Sequence, residues 1–432
     1  MRTVRIGQLG LGVVGSAVAR AILDGEDMAI RSGVKLEVRR AAVRSLSRER
    51  SVELPAGTIT GDPFEVVNDP KIDIVVEVMG GVDPAFDLIT AALKSGKHVV
   101  TANKEVLAKR GPELFATAAA SGKRLAYEAS VGGGVPILNT ISDDLLGNRI
   151  NSVRAIINGT TNYILTRMSS EGAPYDGVLA DAQRLGYAEA DPTADVDGYD
   201  ALYKIAILGH LAFGANVDIS TIHREGISRI DARDFRYAEE LGFTIKLIAA
   251  AQMTSHGLLL RVHPSFVPLN VPMASVNGAM NMVEVEGDLV GPLWLQGAGA
   301  GPEPTASAVL GDVLRVARDM DRPQHEATRS SNGAVTVGPM SQHECQYYIR
   351  LTALDKPGVL AQVAKILGDA NISIRSVIQM DADIAAGRAD LVIMTHTALE
   401  ANMQKAAASL RGLDVVAALD NLIRVESYER PA

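Results

Sequence analysis

Val4-Arg5-Ile6-Gly7-Gln8-Leu9-Gly10-Leu11-Gly12-Val13-Val14-Gly15 opens the chain with a strand that runs into three closely spaced glycines. Val4 to Leu9 have the apolar alternation of a strand, and Ser16 to Leu23 continue as a helix. Glycines at the first, third and sixth positions permit a tight turn. They also let a backbone approach a pyrophosphate seated on the helix N-terminus. The pattern alone is weak, since any glycine-rich strand-to-helix turn satisfies it. Its place beside the first strand of an alternating unit gives it meaning.

The elements downstream extend that unit. A second strand, Leu36 to Val43, ends in Arg44-Ser45. Further short strands follow at Ile72–Val78, His98–Thr101 and Leu125–Glu128, with helices at Pro84–Ser95 and Glu105–Ser121. Strands alternating with helices predict a doubly wound parallel sheet over residues 1–134. After Gly132-Gly133-Gly134 the texture changes to longer helices and strands, which predicts an α+β domain over 135–300. Gly301 then opens a helical stretch, Thr305–Arg318. Residues 321–346 are polar with weak periodicity and read as a linker. The tail from 347 to 425 reads β-α-β-β-α-β, a ferredoxin-like order.

Composition excludes several classes. The 432 residues exceed one ordinary core, so two or three domains are expected. With 47% hydrophobic and 22% charged residues, wholesale disorder is excluded. Aromatics are only 4% and net charge is −9, which argues against a nucleic-acid binder. The single cysteine, Cys345, rules out an intramolecular disulfide and fits a reducing compartment. The start has no apolar leader core, and no run long enough to span a membrane occurs. A soluble, cytoplasmic protein is expected.

Two features concern the dinucleotide. An acid at the end of the second strand would favour NAD by binding the ribose hydroxyls. Here Arg44 stands there, followed by Arg48 and Arg50. A guanidinium suits a 2′-phosphate, so NADP is favoured, although a solvated basic face would look the same. Thr101-Ala-Asn103-Lys104 follows a strand, where ligands of parallel sheets bind. Lys104 could meet a reacting carbonyl there, or be a surface lysine in a helix's first turn.

The densest feature is Tyr187-Ala-Glu189-Ala-Asp191-Pro-Thr-Ala-Asp195-Val-Asp197-Gly-Tyr-Asp200-Ala-Leu-Tyr-Lys204. Five carboxylates fall between 189 and 200 with no cation among them. A calcium loop aligned on Gly198 fails, because Lys204 falls where a bidentate Glu is needed. Lys204 lies four residues after Asp200, on the same helix face, and apolar residues follow. A buried Asp–Lys pair beside further carboxylates is a site candidate; an ordinary helix ion pair is the alternative. Asn158-Gly-Thr160-Thr-Asn162 could present a ligand-binding turn or simply cap a helix. The eight histidines show no metal-binding spacing.

Taken together, GLGVVG, TANK, EASVGGGVPI, INGTTNYIL, the acidic segment through Lys204, GAGAGPEPTASAV and ALDKPGVLAQVAKIL resemble the homoserine dehydrogenases of the monofunctional bacterial type, over almost the whole chain. The resemblance implies a Rossmann-like nucleotide domain with a late return of the chain at about 300–320. It further implies a substrate and dimerisation domain and a C-terminal ACT domain. The implied reaction is NAD(P)H-dependent interconversion of L-aspartate 4-semialdehyde and L-homoserine, on the route to threonine, methionine and isoleucine. By the family pattern Lys204 is the proton donor, Asp200 its companion, and Lys104 stands at the cofactor–substrate junction. Gly10, Leu11, Gly12, Val13, Val14, Gly15, Arg44 and Gly301 would hold the cofactor. Glu189 would bind the substrate amine, with Tyr187, Thr160 and Asp195 around it. A sodium ion would sit on the backbone carbonyls of Glu128, Val131, Gly133 and Val135. The ACT segment implies feedback by threonine near Asp355-Lys-Pro-Gly358, and a homodimer or homotetramer. The Gly301-Pro-Glu-Pro-Thr305 segment departs from the family in its extra proline and acid. The polar linker further predicts that a chain ending near Gln346 folds and remains active without its tail.

Overall fold

The computed structural model describes residues 1–320, 335–383 and 387–428. Most of the expected linker, 321–334, lies outside the described residues. The chain divides into two compact units. One comprises Met1–Val153, Tyr203–Ser220 and Asn281–Val335; the other comprises Arg154–Leu202, Thr221–Met280 and Thr336–Ala432.

The first unit is built on six parallel strands. These are β1 (Arg2–Leu9), β2 (Val34–Ala42), β3 (Ile59–Thr60), β4 (Ile74–Glu77), β5 (His98–Thr101) and β6 (Leu125–Ala126), in the order β3-β2-β1-β4-β5-β6. That is the expected doubly wound sheet. β1 is flanked by β2 and β4, so the chain reverses direction across the sheet at the glycine turn, where such folds bind ligands. β3 was missed in the sequence because only two residues pair, Ala41 with Ile59 and Ala42 with Thr60. The TANK turn therefore follows the fifth strand, not the fourth. The helix Pro302–Asp319 buries Val309, Val313 and Val316 in one core with Val4, Ile6, Val18 and Ile74. The late return of the chain is thus part of the nucleotide domain's packing.

The second unit holds a mixed sheet. Its strands Phe243–Thr254 and Gly257–Pro268 form a twelve-residue antiparallel ladder from Gly257↔Thr254 to Pro268↔Phe243. The tail has the β-α-β-β-α-β order, with strands Glu344–Leu354, Ile374–Asp383, Arg388–Thr395 and Val416–Val425. Its last strand pairs in parallel with Gly257–Pro268, at Ser265↔Arg424 and Phe266↔Val425. The tail thereby extends the second unit's sheet instead of standing apart from it, which the sequence order did not anticipate. Buried ion pairs fasten the seam. Arg350 donates to both oxygens of Asp234 at 2.7 and 3.3 Å, and Tyr348 donates to the same carboxylate at 2.9 Å. Arg424 grips Glu400 at 2.6 and 2.8 Å and reaches Glu225 at 2.9 Å. Arg261 meets both oxygens of Glu426 at 2.9 and 2.8 Å. Among the described residues no helix is long and apolar enough to cross a membrane.

Candidate active site

In the first unit the glycine turn is shaped for a phosphate. Gly10 has φ +99°, and a Cβ there would meet the Val78 carbonyl at 2.9 Å. A Cβ on Gly15 would strike the Gly10 carbonyl. Gly12 differs: nothing lies within 4 Å of an added Cβ, so open space faces the turn. Gly12 precedes the helix Val13–Leu23, whose N-terminus has no side-chain cap. Exposed Val13 and half-buried Val14 stand in its first turn. Leu11 is buried. A pyrophosphate fits this cradle, which offers uncapped N–H groups and room. Gln8 was not anticipated: its amide donates to the carbonyls of Gly10 at 2.9 Å and Gly15 at 2.7 Å, tying both ends of the turn from below.

Arg44 is exposed just beyond the end of β2, with no ion pair among the described residues. Its neighbours are occupied. Arg39 pairs with Asp69 at 2.7 Å and Arg40 with Glu65. Of the basic run, those two serve the fold and Arg44 remains available. Gly301, with φ +116°, caps Pro302–Asp319 at its N-terminus.

Lys104 is the first residue of the helix Lys104–Ser121. The Asn103 side chain caps that helix by accepting from the Val106 N–H at 3.2 Å. Lys204 is buried, at 8% exposure, in the helix Tyr199–Phe213, and Asp200 one turn earlier is buried at 7%. The division between units falls within this helix, between Leu202 and Tyr203.

The glycine-rich loop after β6 is also buried. Val131 and Val135 are 0% and 1% exposed. Among the described residues no hydrogen bond reaches the carbonyls of Val131 or Gly133, while those of Glu128 and Val135 accept from Val131 and Ile137. The Glu128 carboxylate accepts from Leu138 N at 2.9 Å and Asn139 N at 2.7 Å, and burial pushes it up to about 7. Asp312, also raised by burial, accepts from the Glu128 N–H at 2.8 Å and from Asn139 at 3.1 Å. The carbonyls of Val131 and Gly133 would be open to a cation, and Glu128 and Asp312 are buried carboxylates of this loop and of the helix packed on it. Sequence reading missed Asp312 because it sits 184 residues from its partner in a helix that looks solvated.

In the second unit one residue gathers the acidic segment. Asn158 Nδ2 donates to Asp195 at 2.7 Å and to Asp200 at 2.9 Å. Its Oδ1 accepts from Thr161 N at 2.8 Å, capping the helix Gly159–Glu171. The capping reading of Asn158 therefore holds, and the same side chain also ties two carboxylates of the acidic segment together. Other groups of that turn are engaged internally. The Thr160 hydroxyl donates to the Tyr187 carbonyl at 2.6 Å, and Asn162 holds the carbonyls of Val276, Gly278 and Met280. The Tyr187 ring is 46% exposed and stacks on Tyr163 with centroids 4.5 Å apart. Glu189 is exposed, and its carboxylate has no hydrogen bond or ion pair among the described residues. Glu189 offers an ammonium ligand a free partner, whereas Asp195 and Asp200 are already committed to Asn158.

Fold and site define an NAD(P)-dependent oxidoreductase that carries a C-terminal ACT domain. Residues 10–128 match the model of the homoserine dehydrogenase NAD-binding domain, 136–314 that of homoserine dehydrogenase, and 347–414 that of the ACT domain. The chain is 42% identical to the homoserine dehydrogenases of Neisseria gonorrhoeae and Pseudomonas aeruginosa, with 99% of both chains covered in each case. It superimposes on the crystal structure of a homoserine dehydrogenase from Thiobacillus denitrificans with TM-score 0.93 at 44% identity, covering 99% of each chain. A hyperthermophilic archaeal homoserine dehydrogenase in complex with NADPH matches 74% of this chain and all of its own, at TM-score 0.63 and 29% identity. The chain belongs to the homoserine dehydrogenase family.

Proposed function

We propose that Lys204 is the proton donor in a reversible reduction of L-aspartate 4-semialdehyde to L-homoserine. A bound dihydronicotinamide supplies the hydride to the aldehyde carbon. Negative charge then develops on the oxygen, which an ammonium stabilises and protonates. Lys204 provides that proton, and Asp200, one turn away, is its counter-charge. Lys104 stands at the cofactor–substrate junction as the second cation. Glu189 pairs with the substrate α-ammonium, with Tyr187, Thr160 and Asp195 shaping that end. One observation carries this reading: the Asn158 amide bridges Asp195 and Asp200, which fixes the start of the helix bearing Lys204.

The cofactor preferred is NADP, through Arg44 at the end of β2; NAD is the weaker alternative. A sodium ion on the carbonyls of Glu128, Val131, Gly133 and Val135 orders the loop after β6, balanced by Glu128 and Asp312. Threonine is the effector at the Asp355–Gly358 turn of the ACT domain. The protein works in the cytoplasm as a homodimer or homotetramer. Oxidation of L-homoserine with NADP and NAD side by side, followed at 340 nm, tests the reading. NADPH should form faster than NADH. No reduced cofactor from either would overturn it.

A further inference from the structure

Glu77 is the last residue of β4, and its side chain is fully buried. It pairs in register with Leu9, just before the glycine turn, and with Thr101, just before Asn103-Lys104. A carboxylate at that depth is costly unless it is bonded, and a strand buried on both faces ordinarily takes a Val or Ile there. Glu77 has no ion pair among the described residues; hydrogen-bond donors surround it instead. One oxygen accepts from the Met79 N–H at 2.7 Å and the other from the Thr101 hydroxyl at 2.6 Å. Thr101 Oγ1 accepts in turn from the Asn103 N–H at 3.0 Å. Asn103 Nδ2 donates to the Gly81 carbonyl at 2.7 Å, and its Oδ1 caps the helix that begins at Lys104. The bonds close a ring joining the loop after β4, where Gly80 and Gly81 have φ +78° and +75°, to the turn that bears Lys104.

Position gives this ring a function. The glycine turn follows β1, and Arg44 ends β2 on one side of it, where the adenosine half belongs. The nicotinamide half then lies toward β4 and β5. We infer that Glu77 is a positioning residue for the nicotinamide half of the cofactor. It fixes the 78–81 loop and the Lys104 turn as one rigid edge. Its effect on catalysis passes through Lys104 and so rests on the role proposed above for that lysine.

The test compares Glu77→Gln, Thr101→Val and Thr101→Ser. An amide leaves one acceptor oxygen of the two, so in Glu77→Gln the Thr101 hydroxyl must turn and accept from the NH₂ if the Met79 N–H is to keep its partner, which perturbs the ring. Thr101→Val removes the hydroxyl link, and Thr101→Ser keeps it. Glu77→Gln and Thr101→Val should each lower kcat for homoserine oxidation by about tenfold to a hundredfold, as small misplacements of reacting groups do. They should also weaken NADP binding while leaving affinity for 2′-phospho-ADP-ribose, the cofactor without its nicotinamide, within about twofold, because their effect is confined to the nicotinamide edge. Thr101→Ser should restore near wild-type behaviour. Equal weakening of NADP and the fragment would mean general loosening and would overturn the proposal. So would a folded Thr101→Val enzyme with kcat and KM unchanged. If Glu77→Gln fails to fold, the Thr101 pair decides by the same two readouts. A wild-type chain that binds NADP but does not oxidise homoserine would refute the reaction assigned above, yet leave the binding comparison standing.

Discussion

The two units present their candidate site residues in different ways. In the first, the pyrophosphate cradle is made of backbone: glycines with positive φ, uncapped helix N–H groups and strand ends in register. Such a site is written in a short stretch of sequence, because each glycine is needed where it stands. In the second, the site hangs on side chains from distant parts of the chain. Asn158 collects Asp195 and Asp200 across 37 and 42 residues. The sheet beneath is locked to the tail by Asp234–Arg350, 116 residues apart, and Arg261–Glu426, 165 apart. A backbone-built site tolerates local change around its glycines. A unit held by side chains from distant parts of the chain is sensitive to loss of either partner.

Removing the tail should break that contrast most severely. A chain ending at Gln346 strands Asp234, 0% exposed, without Arg350, Tyr348 and Asn421. It also strands Arg261, 2% exposed, without Glu426. The same cut takes the Val416–Val425 strand off the edge of Gly257–Pro268 and the Tyr348 ring off buried Phe266, so apolar surface opens along with the lost pairs, against the roughly 5–15 kcal/mol by which a domain is typically stable. The truncated chain should therefore lose its cooperative thermal transition and its activity. This reverses the separable tail that the polar linker suggested. A soluble truncated chain with wild-type kcat would show that the ion pairs at the seam are dispensable.

Lys204→Ala tests the proton donor proposed above. Loss of a general acid typically lowers the rate by about 10²–10⁴. Turnover should fall in that range while NADPH binding, which depends on the glycine turn, stays near normal. Lys204→Arg should not rescue, since a guanidinium holds its proton near neutral pH. A folded Lys204→Ala enzyme with kcat close to wild type would reduce Lys204 to an ordinary helix ion pair.

How much of this was legible follows the same division. The doubly wound sheet, the glycine turn, the acidic segment and the tail's strand order all stood in local patterns of spacing. Gln8, Glu77, Asp312 and the Asp234–Arg350 pair did not. Each is a single polar residue whose partner lies beyond any local window, or whose strand looks ordinary apart from it. A signal was nonetheless present in Ile74-Val75-Val76-Glu77. Strands of a parallel sheet buried on both faces run as near-continuous apolar residues, so an acid closing such a run must be bonded. Asp312 left no comparable mark, because an acid in an amphipathic helix is unremarked until the fold shows which side it faces.

Acid should dissect the second unit's ion pairs without a mutation. Burial opposes ionisation of Glu400, but the Arg424 guanidinium outweighs it and holds the carboxyl down to about 2. A depressed carboxyl contributes stability that is fully present above its unfolded value of 4.5 and is lost as pH falls through about 2. At 1.36 kcal/mol per pKa unit the contribution is at most about 3 kcal/mol. Unfolding free energy should therefore decline between about pH 4.5 and 2, and Arg424→Met should flatten that part of the profile. A profile identical in the variant would place the acid sensitivity elsewhere.

Arg44→Asp probes the smallest effect and the one most local to the first unit. Arg44 is exposed and does not serve the fold, unlike Arg39 and Arg40, which are tied to Asp69 and Glu65. Its replacement should leave the melting temperature nearly unchanged. A lost hydrogen bond to a charged phosphate costs about 1.5–3 kcal/mol, which is roughly tenfold to a hundredfold in kcat/KM with NADP. NAD lacks the 2′-phosphate, and an acid at this strand end favours its ribose hydroxyls, so kcat/KM with NAD should hold or rise. The ratio of the two values carries the information, because a general disturbance of the glycine turn would lower both together. Equal losses would remove Arg44 from cofactor selection and shift attention to Arg48 and Arg50. If, as proposed, an exposed side chain reads the 2′-phosphate while backbone holds the pyrophosphate, preference should be adjustable at Arg44 without cost to the fold.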